Sequence, residues 1–152
     1  MDTLIFRKAV QADLSAIIAM LADDPLGSAR EIVSDPVDQL YCSAFEAIDR
    51  DPNQLLAVAA DAGQIVGCMQ LSFIPGLSRA GMWRGQIESV RIAADYRGTG
   101  LGQRFVEWAV DRFSERGCEL VQLTSDKTRP DAIRFYEKLG FTASHEGLKL
   151  AL

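Results

Sequence analysis

The 152-residue chain reads as one mixed α/β domain built on a twisted sheet. Three features lead there. Apolar residues recur with helical spacing in some stretches and with β-type runs in others. Asp61-Ala62-Gly63 joins two β-compatible runs as a hairpin turn. Between Gln86 and Gly102 a strand meets a glycine-rich loop and then a helix. The element order is β-α-α-β-β-β-α-β-α-β-β, without linker, repeat or low-complexity tract, so a single domain is expected over 1–152.

Leu4 to Arg7 is the first strand, and Val10-Gln11-Ala12-Asp13 turns into a helix. Asp13 is its natural N-cap, and Leu14, Ile17, Ile18 and Leu21 form its apolar stripe. Asp23-Asp24-Pro25-Leu26-Gly27 ends it. Asp35-Pro36 starts a second helix, with Leu40, Tyr41, Ala44, Phe45 and Ile48 on one side. Gln54 to Ala60 and Gln64 to Ile74 are the hairpin strands. Leu77 to Arg84 is a connection that places Trp83 at the edge of the central strand, as packing or as a wall of an acceptor pocket. Ile87, Val90 and Ile92 give that strand its β character. Leu101, Phe105, Val106, Ala109, Val110 and Phe113 mark a helix of about four turns ended by Arg116-Gly117. Glu119 to Thr124 is a short buried strand, a polar loop follows, and another helix starts at Asp131. Phe141 to His145 and Leu148 to Leu152 close the chain as a hairpin about Glu146-Gly147.

Bulk properties exclude several classes. Net charge is −5 with a pI near 4.9 and no Lys/Arg cluster, which argues against nucleic acid as a partner. No apolar run approaches the roughly 20 residues of a membrane span, and the first residues lack a signal-peptide pattern. Cys42, Cys68 and Cys118 are odd in number and scattered, as expected of free thiols in a reducing cytoplasm. The single histidine, His145, lies far along the chain from all three, so a cysteine nucleophile is poorly supported.

The glycine loop carries the chemistry. Glycines let backbone N–H groups converge on an anion, and the following helix adds its positive end. Arg97 supplies a cation suited to phosphate. A Walker loop is excluded because no Lys follows the glycines, and a dinucleotide fingerprint because Gln103 stands where its third glycine belongs. What remains is Arg97-x-x-Gly100-x-Gly102 behind a strand. This resembles the [QR]-x-x-G-x-[GA] acyl-CoA pyrophosphate loop of the GNAT superfamily of N-acetyltransferases. About thirty-five residues on, Asp131-Ala132-Ile133-Arg134-Phe135-Tyr136-Glu137-Lys138-Leu139-Gly140-Phe141 resembles the segment that closes the same core. Two motifs in that order are far more specific than either alone. The resemblance covers roughly Gln86 to Leu152 and implies a twisted, mostly antiparallel sheet flanked by helices.

It also implies roles. Acetyl-CoA would be the co-substrate, with no metal. Arg97, Gly98, Thr99, Gly100, Leu101 and Gly102 would hold its pyrophosphate, and the backbones of Val90 and Ile92 its pantetheine arm. The Val90 N–H would serve the tetrahedral oxyanion. Tyr136 is the candidate acid for the departing thiolate, because a phenol of pKa ~10 is protonated at neutral pH; the alternative is a packed ring with a locally satisfied hydroxyl. Glu88 stands in an otherwise apolar strand, where burial would raise its pKa and make it a base for the acceptor amine; a structural or acceptor-binding hydrogen bond is its other reading. The Asn that many relatives place before the closing helix is missing. Ser125 or Asp126 are candidates for its contact, and Lys127 or Arg129 for a nucleotide phosphate.

The expected activity is acetyl transfer from acetyl-CoA to a primary amine of a small molecule or an exposed amino group, by direct attack in a ternary complex. Transfer of a longer acyl group and a non-catalytic acyl-CoA-binding module are the alternatives. A dinucleotide oxidoreductase is disfavoured by Gln103 and by Thr124, where an acidic residue should close the strand. The carboxylates from Asp23 to Asp51 are either a solvated face with caps or a site for a cationic amine. An exposed terminal strand leaves a homodimer possible.

Overall fold

The hairpin of β2 (Gln54–Asp61) and β3 (Gln64–Pro75) forms the centre of the computed structural model, which describes residues 2–152. Ala62 and Gly63 connect the two strands with φ of 48° and 83°, the left-handed pair whose twist suits a two-residue hairpin. β1 (Leu4–Lys8) flanks β2, and β4 (Trp83–Ile92) flanks β3. β5 (Leu120–Leu123) completes the order β1-β2-β3-β4-β5. The first four strands are antiparallel neighbours, and β5 runs parallel to β4.

Period-two alternation gives the sheet two different faces. Ala57, Ala59, Met69, Leu71, Phe73 and Ile87 point to α4 (Leu101–Glu115), whose Leu101, Phe105, Val106, Ala109 and Phe113 are buried against them. Phe135, Tyr136 and Leu139 of α5 (Pro130–Lys138) pack on the same cluster. On the opposite face Val58 and Cys68 meet Ile17 of α1 (Leu14–Ala22). Phe45 of α2 (Gln39–Arg50) packs with Leu14 and Ile18. No helix among the described residues is long and apolar enough to cross a membrane.

Several elements differ from the sequence expectation. Asp13 stands at the N-cap of α1 but does not cap it; its carboxylate takes two bonds from Arg7, at 2.8 and 3.1 Å, and one from the Val10 N–H at 2.8 Å. The pull of that guanidinium outweighs capping. α2 begins at Gln39 rather than at Pro36, because Asp38 accepts from the Leu40 N–H. Leu40 and Val110 face solvent, at the margins of their apolar stripes. β4 starts at Trp83, after a four-residue helical turn, α3 (Ser78–Gly81), with Arg79 and Ala80 at positive φ. In β5, Leu120 is exposed. The closing hairpin over Phe141–His145 and Leu148–Leu152 is not formed: these residues belong to no strand, and 142–152 are all exposed.

Candidate active site

β4 and β5 part company halfway along. Their register runs from Arg84 opposite Leu120 to Ile87 opposite Leu123, where β5 ends. β4 continues to Ile92 with no partner strand on that side among the described residues, so Glu88 to Ile92 present a free backbone edge. A bulge accentuates the split. Gln70 faces Glu88 and Cys68 faces Arg91, so Met69 alone opposes both Ser89 and Val90. Ser89 takes the extra residue's strain at φ 57°. The carbonyls of Val90 and Ile92 accept from Arg91 Nη1 at 2.9 Å and from Arg97 Nε at 3.1 Å.

Beyond β4, a 3-10 turn (Ala94–Tyr96) leads into the glycine loop. Gly98 and Gly100 sit at φ 75° and 87°, and a Cβ on either would meet nothing within 4 Å. Both positions need glycine for backbone shape, and the shape leaves open space above the loop. Among the described residues, the N–H groups of residues 98–103 have no backbone acceptor; the first such bond is Arg104 N–H to Gly100 O at 3.2 Å. These free donors stand at the positive end of α4, beside the Arg97 guanidinium. Gly102 has a different task. A Cβ there would lie 3.3 Å from Phe135 Cζ, so its absence lets α4 pack closely on α5. The loop therefore fits a pyrophosphate on geometry that this chain itself provides.

A groove of about 290 Å³ runs along the free edge, lined by Asp23, Asp24, Pro25, Val90, Arg91, Ile92, Arg97 and Arg129. Val90, Ile92 and Arg97, singled out from sequence, thus share one wall. Asp24 crosses it, with Oδ2 3.1 Å from Arg91 Nε and 3.0 Å from Arg129 Nη2. Its Oδ1 accepts from the Gly27 N–H at 2.6 Å. That backbone bond, aided by the two arginines and opposed by burial, holds the Asp24 carboxyl down to about 2. Arg97 pairs more loosely with Asp23, at 3.7 Å.

Tyr136 is half-buried between Phe135 and Phe141, with ring centroids at 5.0 and 5.7 Å in edge-to-face geometry. Burial pushes its phenol up, while the charges of Arg91 and Arg129 pull the other way. The two edge-to-face contacts hold the ring, and no hydrogen bond to its hydroxyl is found among the described residues. Glu88 is exposed, which removes the burial that the sequence reading assigned to it. Strand alternation puts Glu88 on the face opposite Ile87, away from the α4 core.

Glu88 continues a polar strip that sequence reasoning missed. Gln122 Nε2 donates to Gln86 Oε1 at 2.8 Å, and Gln70 Nε2 and Ser72 Oγ donate to Gln54 Oε1 at 2.9 and 3.1 Å. The signal was available: polar residues at every second position of otherwise apolar strands. Of the polar-loop candidates, Asp126, Lys127 and Arg129 have other partners. Lys127 pairs with Glu146 at 3.3 Å and Asp126 accepts from Thr128. His145 is exposed, with Nδ1 2.7 Å from Ser144 Oγ. All three cysteines are free, and burial pushes the Cys68 thiol up to about 12, an unreactive state. No three His, Cys, Asp or Glu side chains among the described residues gather as a metal site.

A split central strand beside an anion-ready helix start is the arrangement that the GNAT resemblance implies. The model of the acetyltransferase (GNAT) family matches residues 17–141. The chain belongs to that family. The acetyltransferase is 29% identical over 140 residues to aminoalkylphosphonate N-acetyltransferase of Salmonella typhimurium, covering 91% of this chain and 85% of that one. It is 38% identical over 91 residues to glucosamine 6-phosphate N-acetyltransferase of Trypanosoma brucei brucei, 59% of each chain. Its fold matches a crystallised transcriptional regulator from Bacillus halodurans C-125 with a TM-score of 0.95 and 49% identity, over 98% of this chain and 99% of that one. GNAT enzymes take their acetyl group from acetyl-CoA, and the Salmonella and Trypanosoma relatives are by name N-acetyltransferases of small molecules.

Proposed function

We propose that this acetyltransferase moves the acetyl group of acetyl-CoA to a primary amine of a small molecule, or an exposed amino group, by direct attack in a ternary complex. The observation that carries the reading is the unpaired edge of β4 from Glu88 to Ile92, leading straight to the free N–H groups of the glycine loop. Arg97 and the loop from Gly98 to Gly102 bind the pyrophosphate. Val90 and Ile92 exchange their arginine contacts for the amides of the pantetheine arm. The amine forms its C–N bond at the thioester carbon while the C–S bond breaks. The Val90 N–H bonds the developing oxyanion, and Tyr136 gives its proton to the leaving thiolate. Glu88, directly or through water, receives the proton lost by the amine. No step calls on a metal. The free cysteines suit work in the cytoplasm.

The acceptor lies over the polar strip of Gln54, Gln70, Ser72, Gln86 and Gln122. A cationic acceptor draws less support than the sequence suggested, because Asp24, Asp38, Asp49 and Asp51 already bond to neighbours. Action on nucleic acid, raised by the name of the Bacillus relative, draws no support from a net charge of −5. The test is calorimetry with acetyl-CoA, wild type against Gly100→Trp, followed by release of free thiol with an amine panel. The panel contains an aminoalkylphosphonate, glucosamine 6-phosphate, a polycationic antibiotic, an amino acid and a peptide N-terminus. Micromolar binding lost in the variant, and turnover of one acceptor class, is the expected result. Absence of acetyl-CoA binding overturns the proposal.

A further inference from the structure

The groove is basic in an acidic chain. The whole molecule carries a net charge of −5, yet the lining sets Arg91, Arg97 and Arg129 against Asp23 and Asp24. Arg97 belongs to the glycine loop and turns to Asp23. Arg91 and Arg129 lie nearer the chemistry, since the charges of both bear on the Tyr136 phenol.

One carboxylate serves both of these arginines. Asp24 Oδ2 lies 3.1 Å from Arg91 Nε and 3.0 Å from Arg129 Nη2. These are contacts of charge without donor alignment: Asp24 Oδ2 and Arg91 Nε are buried, and neither has a hydrogen-bond partner among the described residues. The Gly27 N–H pins the carboxylate through Oδ1, so it cannot turn to satisfy them. Arg91 Nη1 donates to the Val90 carbonyl at 2.9 Å, and Arg129 meets no carboxylate but Asp24 among the described residues. Two guanidiniums with five N–H donors each thus share one negative charge. Their side chains are only 15% and 34% exposed, so water answers the remaining charge and donors poorly.

The β4 bulge gives this pair its place. Arg91 stands opposite Cys68 and Glu88 opposite Gln70, which puts both on the α1 side of the sheet. They are three residues apart, and an unbroken strand would send them to opposite faces; the extra residue at Ser89 brings Arg91 back beside Glu88. The polar strip of Gln70, Gln86 and Glu88 therefore ends on a cation.

Resting on the acetyl-transfer reading above, we propose that Arg91 and Arg129 select the acceptor, an amine that carries its own anion, carboxylate or phosphoryl. The two planar guanidiniums grip that anion, and the amine extends from it toward Glu88 and the thioester. Once the Val90 carbonyl turns to the pantetheine arm, Arg91 Nη1 is released to the same anion. Both arginines act on specificity, and neither touches the reacting atoms.

Four 3-aminopropyl compounds, ending in phosphonate, carboxylate, carboxamide or methyl, test this by free-thiol release beside calorimetry with acetyl-CoA. If acetyl-CoA does not bind, the acetyl-transfer reading falls and this proposal with it. With acetyl-CoA bound, an anionic end is expected to exceed both neutral ends in kcat/KM by at least about tenfold, and the better of the two anions identifies the group. Arg91→Gln and Arg129→Gln are each expected to remove most of that preference while neutral amines and acetyl-CoA affinity change little. A merely structural role would lower all four substrates alike. Propylphosphonate and butanoate, which lack the amine, give a readout without turnover. One of them is expected to bind the CoA-saturated wild type, to displace the amine, and to bind each variant about tenfold more weakly. Should the variants misfold, or none of the four amines turn over, anion binding by the CoA-saturated wild type decides. Equal rates for all four ends, variants that keep the preference, no anion bound, or an anion that competes with acetyl-CoA instead of the amine overturns the proposal.

Discussion

Tyr136 combines a fixed ring with an uncommitted hydroxyl, and two arginines beside it bear on its charge state. Replacing it with Phe keeps the edge-to-face packing and removes only the hydroxyl. The expected outcome is a kcat lower by about 10²–10³ with unchanged acetyl-CoA affinity. Burial raises the phenol above its ordinary 10, so the wild-type rate loses this acid only at strongly alkaline pH. The Phe variant lacks that limb of the pH profile. Asp24 titrates at the other extreme. Its folded value of about 2 lies below the ordinary 3.8, so its stabilisation is present above that ordinary value and is lost as pH falls through about 2. Asp24→Asn is therefore expected to lower stability at neutral pH and to flatten the acid side of a melting-temperature profile between pH 4 and 2. An unchanged profile would mean that the Arg91 and Arg129 contacts hold nothing together.

At the scale of the element, β4 does the organising. Its first half is packed and paired, and its second half is bulged and free. The packed half contains Gly85, where a Cβ would overlap the buried Phe113 ring of α4. Gly85→Ala is expected to cost about 1–3 kcal/mol through overpacking, seen as a melting temperature lower by several degrees with acetyl-CoA affinity per folded molecule intact. The free half was partly legible in sequence. Ile87, Val90 and Ile92 marked a strand, and Arg97 to Gly102 marked a glycine loop ahead of a helix, because side-chain type and glycine spacing carry those signals. The bulge at Ser89 was not legible, since a serine at φ 57° is imposed by the register with β3 rather than by its own preference. The burial expected for Glu88 failed for the same reason: apolar neighbours along the strand say nothing about a partner strand that stops at Leu123. The last hairpin had correct alternation for strands, but pairing is a property of two segments, and no second segment of the same chain lies beside it.

For the whole molecule, the binding of acetyl-CoA links the cleft to global stability. The β4–β5 split leaves the sheet held on its far side by four short pairs, Arg84–Leu120 to Ile87–Leu123. α4 and α5 meet through Gly102 and Phe135, right at the loop proposed to take the pyrophosphate. A ligand bridging the free edge and the start of α4 therefore ties β4, α4 and α5 together in the folded state alone. At a concentration a hundred times its dissociation constant it adds about 2.7 kcal/mol. For a chain of this length that corresponds to a melting temperature higher by about 5–10 °C. Scanning fluorimetry with acetyl-CoA, free CoA and NAD checks it. Both CoA forms should give the rise, because the proposed pyrophosphate and pantetheine contacts are common to them, and NAD should not, because its nicotinamide riboside half has no extended arm of secondary amides to run along Val90 and Ile92. An equal rise with NAD would mean that the loop reads only the pyrophosphate and that the free edge of β4 contributes nothing to recognition.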